Sequence, residues 1–293
     1  MGKLDTILYQ AEAFKKQNWL LSKHILENAL KDFPNEKILY MELGDILTSQ
    51  KIYKKANEYY IEALNFCDNQ KEKDDLLYKI ATNFLNIKEY PLAINFYEKI
   101  NEKTPEIKYN IAYAYLENRK YLTSLDILFD LIKQKNITQI PYLLISEIYY
   151  SMHQDDKALD YLDQAEERFG ETAAIFYLKA SIYANKKHWL QAVTYYKKSE
   201  NLDIGFPNFY RNYAIALYNL GKKQKAIKYL KKNIEYDSKD ATSYFYILKI
   251  LTDLKKYKEA KKYLEKAKKN IDIDNNKFIN AFEITIELGI KSK

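Results

Sequence analysis

The chain has 293 residues but only one cysteine, Cys67. A single thiol builds neither a disulfide framework nor a cysteine zinc site, and it fits a reducing cytoplasm. Glycine (6) and proline (5) are scarce. A β-rich chain of this length would need more turn residues, so helices with short connections are predicted. The three histidines, His24, His153 and His188, lie far apart. None has a partner at metal-ligand spacing. There is no His-Glu-x-x-His, no glycine-rich phosphate loop and no Gly-x-Ser-x-Gly. No catalytic residue, metal or cofactor is therefore expected. No run of 18 uncharged apolar residues suggests a membrane span, and Asp5 and Glu12 interrupt any signal-peptide core. Gly2 followed by Thr6 fits the short myristoylation pattern.

Apolar residues are plentiful, at 47%, and tyrosine is unusually common, at 29 residues. The net charge of +7 is uneven. Residues 221–293 hold 19 Lys, no Arg and 10 Asp plus Glu, a net +9, while the preceding 220 residues sum to −2.

The informative feature is self-similarity. The spacing Tyr53/Ala56/Tyr60/Ala63 returns as Tyr90/Ala93/Tyr97/Ile100. Later copies are Ala158/Leu162/Ala165, Ala192/Tyr196/Ser199, Ala226/Leu230/Asn233 and Ala260/Leu264/Ala267. Degenerate copies are Ser22/Leu26/Ala29 and Ser124/Leu128/Leu131. The first small residues stand at 22, 56, 93, 124, 158, 192, 226 and 260, separated by 34, 37, 31, 34, 34, 34 and 34. Three extra residues in a loop around Asp68–Lys71 are recovered in the short Asn101–Thr104 connection. A second amphipathic segment precedes each copy, as in Tyr40-x-x-Leu43-Gly44-x-x-Leu47 and Tyr210-x-x-Tyr213-Ala214-x-x-Leu217. Spacings of three and four mark helix stripes, so each unit has two helices, A and B.

This pattern resembles the tetratricopeptide (TPR) repeat, with Pro34 and Pro105 in its closing-proline slot. Thr6, Gln10 and Lys108 depart from it. The resemblance implies an all-α fold, an α-α superhelix (solenoid) of about eight helix-turn-helix repeats. They start near Lys3, Lys37, Asp74, Pro105, Gln139, Ala173, Pro207 and Ala241, and the last ends at 274. Residues 275–290 are predicted to form a capping helix. In it Phe278, Ala281 and Phe282 take helix A slots, and Lys277, Asn280, Glu283 and Glu287 face solvent. All of 1–293 then reads as one repeat domain. Pro105, Pro207 and Pro91 suit first helical turns, and Gly221 suits a left-handed C-cap.

The resemblance further implies a non-catalytic scaffold or adaptor whose A helices line a concave peptide-binding groove. Its non-core positions here include Tyr78, Tyr109, Asn110, Tyr113, Tyr150, Tyr177, Arg211, Asn212, Tyr218 and Tyr246. Tyrosine offers contact area at low entropy cost, and an Asn amide both donates to and accepts from a peptide backbone. The same tyrosines are equally suited to packing between neighbouring A helices. Asn110 and Asn212 occupy an Asn slot of the two-carboxylate clamp found in some co-chaperone members, but its flanking Lys and Arg are missing. The partner is therefore expected to be a protein or peptide other than a chaperone tail. Two other functions are compatible with the chain. One is a nucleic-acid- or acidic-surface-associated factor using the lysine-rich end, although the lack of Arg counts against nucleic acid. The other is a self-assembling scaffold.

Overall fold

The computed structural model describes residues 2–202, 205, 206, 208–272 and 277–291. Among them are seventeen α-helices and no strand. The helices fall into two compact units, the first ending at Ile137 and the second starting at Thr138. The first holds α1 (Lys3–Lys15), α2 (Trp19–Asp32), α3 (Lys37–Ser49), α4 (Tyr53–Leu64), α5 (Gln70–Asn86), α6 (Tyr90–Glu98), α7 (Pro105–Glu117) and α8 (Tyr121–Ile132). The second holds α9 (Ile140–Ser151), α10 (Asp155–Phe169), α11 (Ala173–Asn185), α12 (Trp189–Leu202), α13 (Phe209–Asn219), α14 (Lys223–Tyr236), α15 (Ala241–Asp253), α16 (Tyr257–Asn270) and α17 (Phe278–Lys291). Odd-numbered helices up to α15 are the expected A helices, even-numbered ones the B helices. Each A helix packs on its own B helix, and within a unit each B helix packs on the next A helix. No pair can bury its apolar faces alone, so stacking supplies the core.

The small residues are where the helices touch. Ala56, Ala93, Ala158, Ala192, Ala226 and Ala260 are all fully buried. Facing slots pair a small A residue with a bulky B residue: Gly44 with Tyr60, Ala81 with Tyr97, Ala180 with Tyr196, Ala214 with Leu230. At Gly44 the approach is closest, and a Cβ there would lie 2.3 Å from the Tyr60 ring. Where the slot on the B helix holds serine, the hydroxyl bonds a carbonyl of helix A: Ser124 Oγ donates to the Ala112 oxygen at 2.6 Å. In the first repeat Ser22 Oγ donates to the Ala11 oxygen at 2.7 Å, and Gln10 is exposed. The small residue of that repeat is therefore Ala11, 11 residues before Ser22, where Gly44 stands 12 before Ala56.

Every other A–B turn has the same backbone. Lys51, Lys88, Arg119, His153, Lys187, Gly221 and Lys255 all have φ between 55° and 80°. In each, this residue donates to the carbonyl three residues back and the next residue to the carbonyl five back, as in Lys51 N to Thr48 O and Ile52 N to Leu47 O. This is the Schellman closure, which glycine fits best. Only Gly221 meets that preference, as expected. Gly221→Ala has free space around its new methyl, so its cost is conformational alone. It is expected to lower stability by about 1 kcal/mol in urea unfolding; no loss would mean that the turn relaxes out of the left-handed region.

Two boundaries differ from the sequence expectation. The loop around Asp68–Lys71 is shorter, because α5 starts at Gln70 and runs a full turn before Asp74. Asn69 causes this: its side chain accepts from the Glu72 N–H at 3.0 Å, and Glu72 in return accepts from the Asp68 N–H at 3.2 Å. That reciprocal cap starts the helix early. At the C-terminal end, α17 starts at Phe278, and its buried residues are Ile279, Ile286 and Gly289, whereas Ala281 is exposed. Gly289 sets this register, since a Cβ there would lie 2.4 Å from the Tyr257 ring. Phe278 and Phe282 do face the preceding repeat, packing edge-on to Phe245. Glu283 pairs with Lys268 instead of standing free. Residues 275 and 276 of the expected cap, and Pro207, lie outside the described residues.

Candidate functional site

The ten residues expected to line a binding face share one property: each is partly exposed, neither buried nor fully in solvent. A-helix geometry explains this. Positions next to the small slot turn into the B helix, and positions one residue further round are left on the open side.

In the first unit, Tyr78 on α5 reaches across to α7, where its hydroxyl donates to Glu106 Oε1 at 2.8 Å. Its ring meets Tyr97 edge-on at 5.9 Å. Partial burial, then Glu106, raises the Tyr78 hydroxyl above its ordinary pKa. The Asn110 amide acts on both the Tyr78 and Tyr97 hydroxyls. Tyr97 is buried, bonded to Thr82 Oγ1 at 2.9 Å, and burial pushes it up to about 12. The structure thus joins Tyr78 and Asn110 into one polar cluster with Thr82, Tyr97 and Glu106. Tyr109 and Tyr113 stand on the same helix as Asn110, with Tyr113 turned towards Tyr90.

In the second unit, Asn212 on α13 donates through Nδ2 to the Tyr177 hydroxyl on α11 at 3.2 Å. The Tyr177 ring stacks on Phe206 with centroids 4.7 Å apart and planes at 7°. Tyr150 on α9 lies close enough to feel both Asp155 and Tyr177, and burial raises its hydroxyl pKa first of all. Tyr150, Tyr177 and Asn212 therefore form a second cluster. Tyr218 meets Tyr246 edge-on at 5.7 Å, with the Lys249 ammonium 5.4 Å from the Tyr218 ring. Arg211 joins neither group. It pairs at 3.0 Å with Asp240, the buried N-cap of α15, and so ties two A helices together.

Several residues of these faces escape a reading by type alone. Phe245 stands 34 residues after Arg211 and 68 after Tyr177, in the same slot, and that spacing could have found it. Phe206 and Glu106 join only through contacts between helices.

The other reactive groups do not gather. His24, His153 and His188 are exposed and belong to three different repeats. Among the described residues no three His, Cys, Asp or Glu side chains come together to hold a metal ion. Cys67 is half-buried, burial pushes its thiol pKa up, and its Sγ donates to the Ala63 oxygen at 3.6 Å. Reactive thiols sit in the opposite setting. No described helix is long and apolar enough to cross a membrane.

Comparison with known proteins agrees with this architecture. The tetratricopeptide repeat family model matches residues 208–240 and 241–270. The chain is 23% identical over 243 residues to a TPR repeat-containing protein of Methanocaldococcus jannaschii, covering 76% of this chain and 42% of that protein. It is 34% identical over 89 residues to the human intraflagellar transport protein 88 homolog, covering 29% of this chain and 11% of the relative. The chain thus spans less than half the length of either. Among solved structures, a tetratricopeptide repeat protein from Parabacteroides merdae superimposes with a TM-score of 0.68 at 15% identity, covering 84% of this chain and 97% of that one. Yeast Tom70 superimposes with a TM-score of 0.68 at 14% identity, covering 96% of this chain and 60% of Tom70. These structural likenesses establish the fold.

Proposed function

We propose that this chain, a tetratricopeptide-repeat protein, is a non-catalytic cytoplasmic adaptor that holds an extended peptide segment of a partner protein against its A helices. One observation carries the reading: all ten candidate residues are partly exposed, nine of them are aromatic or amide groups, and six of these (Tyr78, Asn110, Tyr177, Asn212, Tyr218 and Tyr246) are already held by neighbours or packed rings. A purely structural tyrosine would be buried to its ring edge, as Tyr60, Tyr97 and Tyr196 are on the B side. Preorganised aromatic bodies lose little entropy on binding. The Asn110 and Asn212 amides can bond a peptide backbone in either direction. Arg211 serves as a support, because its charge is already satisfied by Asp240.

The test is a capture experiment on host lysate with wild-type protein and the Tyr109→Ala/Asn110→Ala/Asn212→Ala variant, at low and moderate salt. A partner held by the wild type at both salt concentrations and lost by the variant is the expected result. A partner retained by the variant removes the A-helix face as its site.

A further inference from the structure

The outer side of the second unit carries a separate pattern. Lys198, Lys232 and Lys266 recur at the 34-residue period on the B helices α12, α14 and α16. Each follows a tyrosine by three residues: Tyr195, Tyr229 and Tyr263. The ammonium groups lie over rings. Lys232 is 5.1 Å from the Tyr210 ring centre and 5.4 Å from that of Tyr229, and Lys266 is 5.4 Å from that of Tyr263. Exposed Lys228 and Lys262 form a second 34-residue step beside them.

Two of the four carboxylates on these helices are engaged, and Lys198 itself pairs with Glu171 at 3.2 Å. Glu259 pairs with Lys231 at 2.9 Å, and Glu200 accepts the Tyr229 hydroxyl at 2.7 Å. Glu235 and Glu265 are the remaining acids of the three helices. Among the described residues, Lys228, Lys232, Lys262 and Lys266 have no ion-pair partner. Along α14 runs a furrow of about 420 Å³ lined by Gln224, Ile227, Lys228, Lys231, Lys232 and Glu235.

We infer that the outer faces of α12, α14 and α16 form a docking strip for an extended acidic segment of another protein. The lysines alone would serve any polyanion, and three observations narrow the class. Bases of nucleic acid stack on free aromatic faces, but here lysines occupy the faces of Tyr210, Tyr229 and Tyr263. The strip has no arginine to grip phosphate bidentately. A lipid surface needs apolar anchors as well as charge, and the large, exposed apolar side chains on these three helices, Leu190, Leu202 and Tyr236, stand at helix ends and not among the lysines. Carboxylates on a peptide meet all of these terms.

The geometry also sets a spacing. Side chains of successive B helices meet, Tyr229 with Glu200 and Lys231 with Glu259, which puts the lysine columns on the order of one helix spacing, about 10 Å, apart, and an extended chain advances about 3.3 Å per residue. A carboxylate at every third residue therefore keeps step with the lysine columns. The test measures fluorescence anisotropy with a labelled peptide carrying glutamate at every third position, and with a peptide of equal composition whose glutamates form one block. The variant Lys228→Gln/Lys232→Gln/Lys262→Gln/Lys266→Gln removes the charges while keeping part of each aliphatic stem, and circular dichroism checks its fold. The expected result is tighter binding of the spaced peptide, weakened about tenfold or more by the variant and steeply by salt. The Tyr109→Ala/Asn110→Ala/Asn212→Ala variant should bind it as the wild type does. Equal affinity for both peptides, an affinity unchanged by the lysine substitutions, or tighter binding to duplex DNA or phosphatidylserine vesicles at the same ionic strength overturns the inference.

Discussion

Tyr196→Ala is expected to destabilise the protein by about 3–5 kcal/mol, the usual cost of deleting a buried aromatic ring. Tyr196 is 1% exposed and sits where three helices meet. Its ring lies 6.1 Å from Tyr177 on α11 and 5.8 Å and 5.5 Å from Phe209 and Tyr213 on α13. Its loss would open a cavity lined by rings that are fixed on all other sides, so little collapse can offset it. Its hydroxyl contributes less: Ser181 Oγ is 3.4 Å away, at the long end of hydrogen bonding. Tyr196→Phe should therefore cost no more than about 1 kcal/mol. Urea unfolding followed by far-ultraviolet circular dichroism measures both. An alanine variant within about 1 kcal/mol of wild type would mean that this junction repacks freely. There is a functional corollary. Tyr196 backs Tyr177, so the alanine variant should also weaken any ligand held by Tyr177 and Asn212.

The second large effect is expected at Gly44. A methyl there would lie 2.3–2.8 Å from three atoms of the Tyr60 ring. The ring cannot simply swing aside. It is 1% exposed, its hydroxyl donates to Asp45 Oδ1 at 2.5 Å, and the Lys79 ammonium stands 5.4 Å from the ring centre. Gly44→Ala should cost about 1–3 kcal/mol, as overpacking does. The other repeats point to the remedy. Alanine is accepted in the same slot opposite leucine, as Ala214 is opposite Leu230, and also opposite Tyr97 and Tyr196, so the obstacle is the placement of the Tyr60 ring, held by Asp45, which a leucine would not share. Gly44→Ala/Tyr60→Leu should therefore be less damaging than the two single changes combined, by about 1 kcal/mol. Additive costs in thermal unfolding would show that the ring is not the obstacle.

Much of this architecture is legible in the sequence, and the failures have physical causes. The small-residue period and the bulky residues facing it depend on steric contact inside one repeat, so they recur in register and can be read from spacing. Gly221 was legible for the same reason: it is the one turn residue whose type matches its conformation. The six other left-handed turns are hidden, because lysine, arginine and histidine there carry no signal of positive φ. The early start of α5 depends on Asn69 accepting from the Glu72 N–H and Glu72 accepting from the Asp68 N–H, while Lys37 of the preceding repeat holds Glu72. The register of α17 depends on Gly289 meeting a ring on α16. Of the candidate face, the residue types and slots could be read, but not the division of labour. Arg211 has the chemistry of a ligand contact, yet its partner Asp240 stands 29 residues away. Lys179 fills an apolar slot and is 3% exposed, because Asp163 and Glu166 of the preceding repeat neutralise it.

Within each unit every helix packs only on helices next to it along the chain or one repeat away. Among the described residues no contact between distant repeats staples a unit's ends together. Such a body zips and unzips like a one-dimensional chain of links, with a front that can halt wherever a link is strong. The ring junction around Tyr196 is expected to be such a halting point, whereas Thr6 and Gln10 of the first repeat are exposed and give that link little packing. Partial melting from a weak link is then the expected first step of unfolding. A partner gripping several repeats at once would act as a brace, slowing that front and protecting the repeats it spans from proteases.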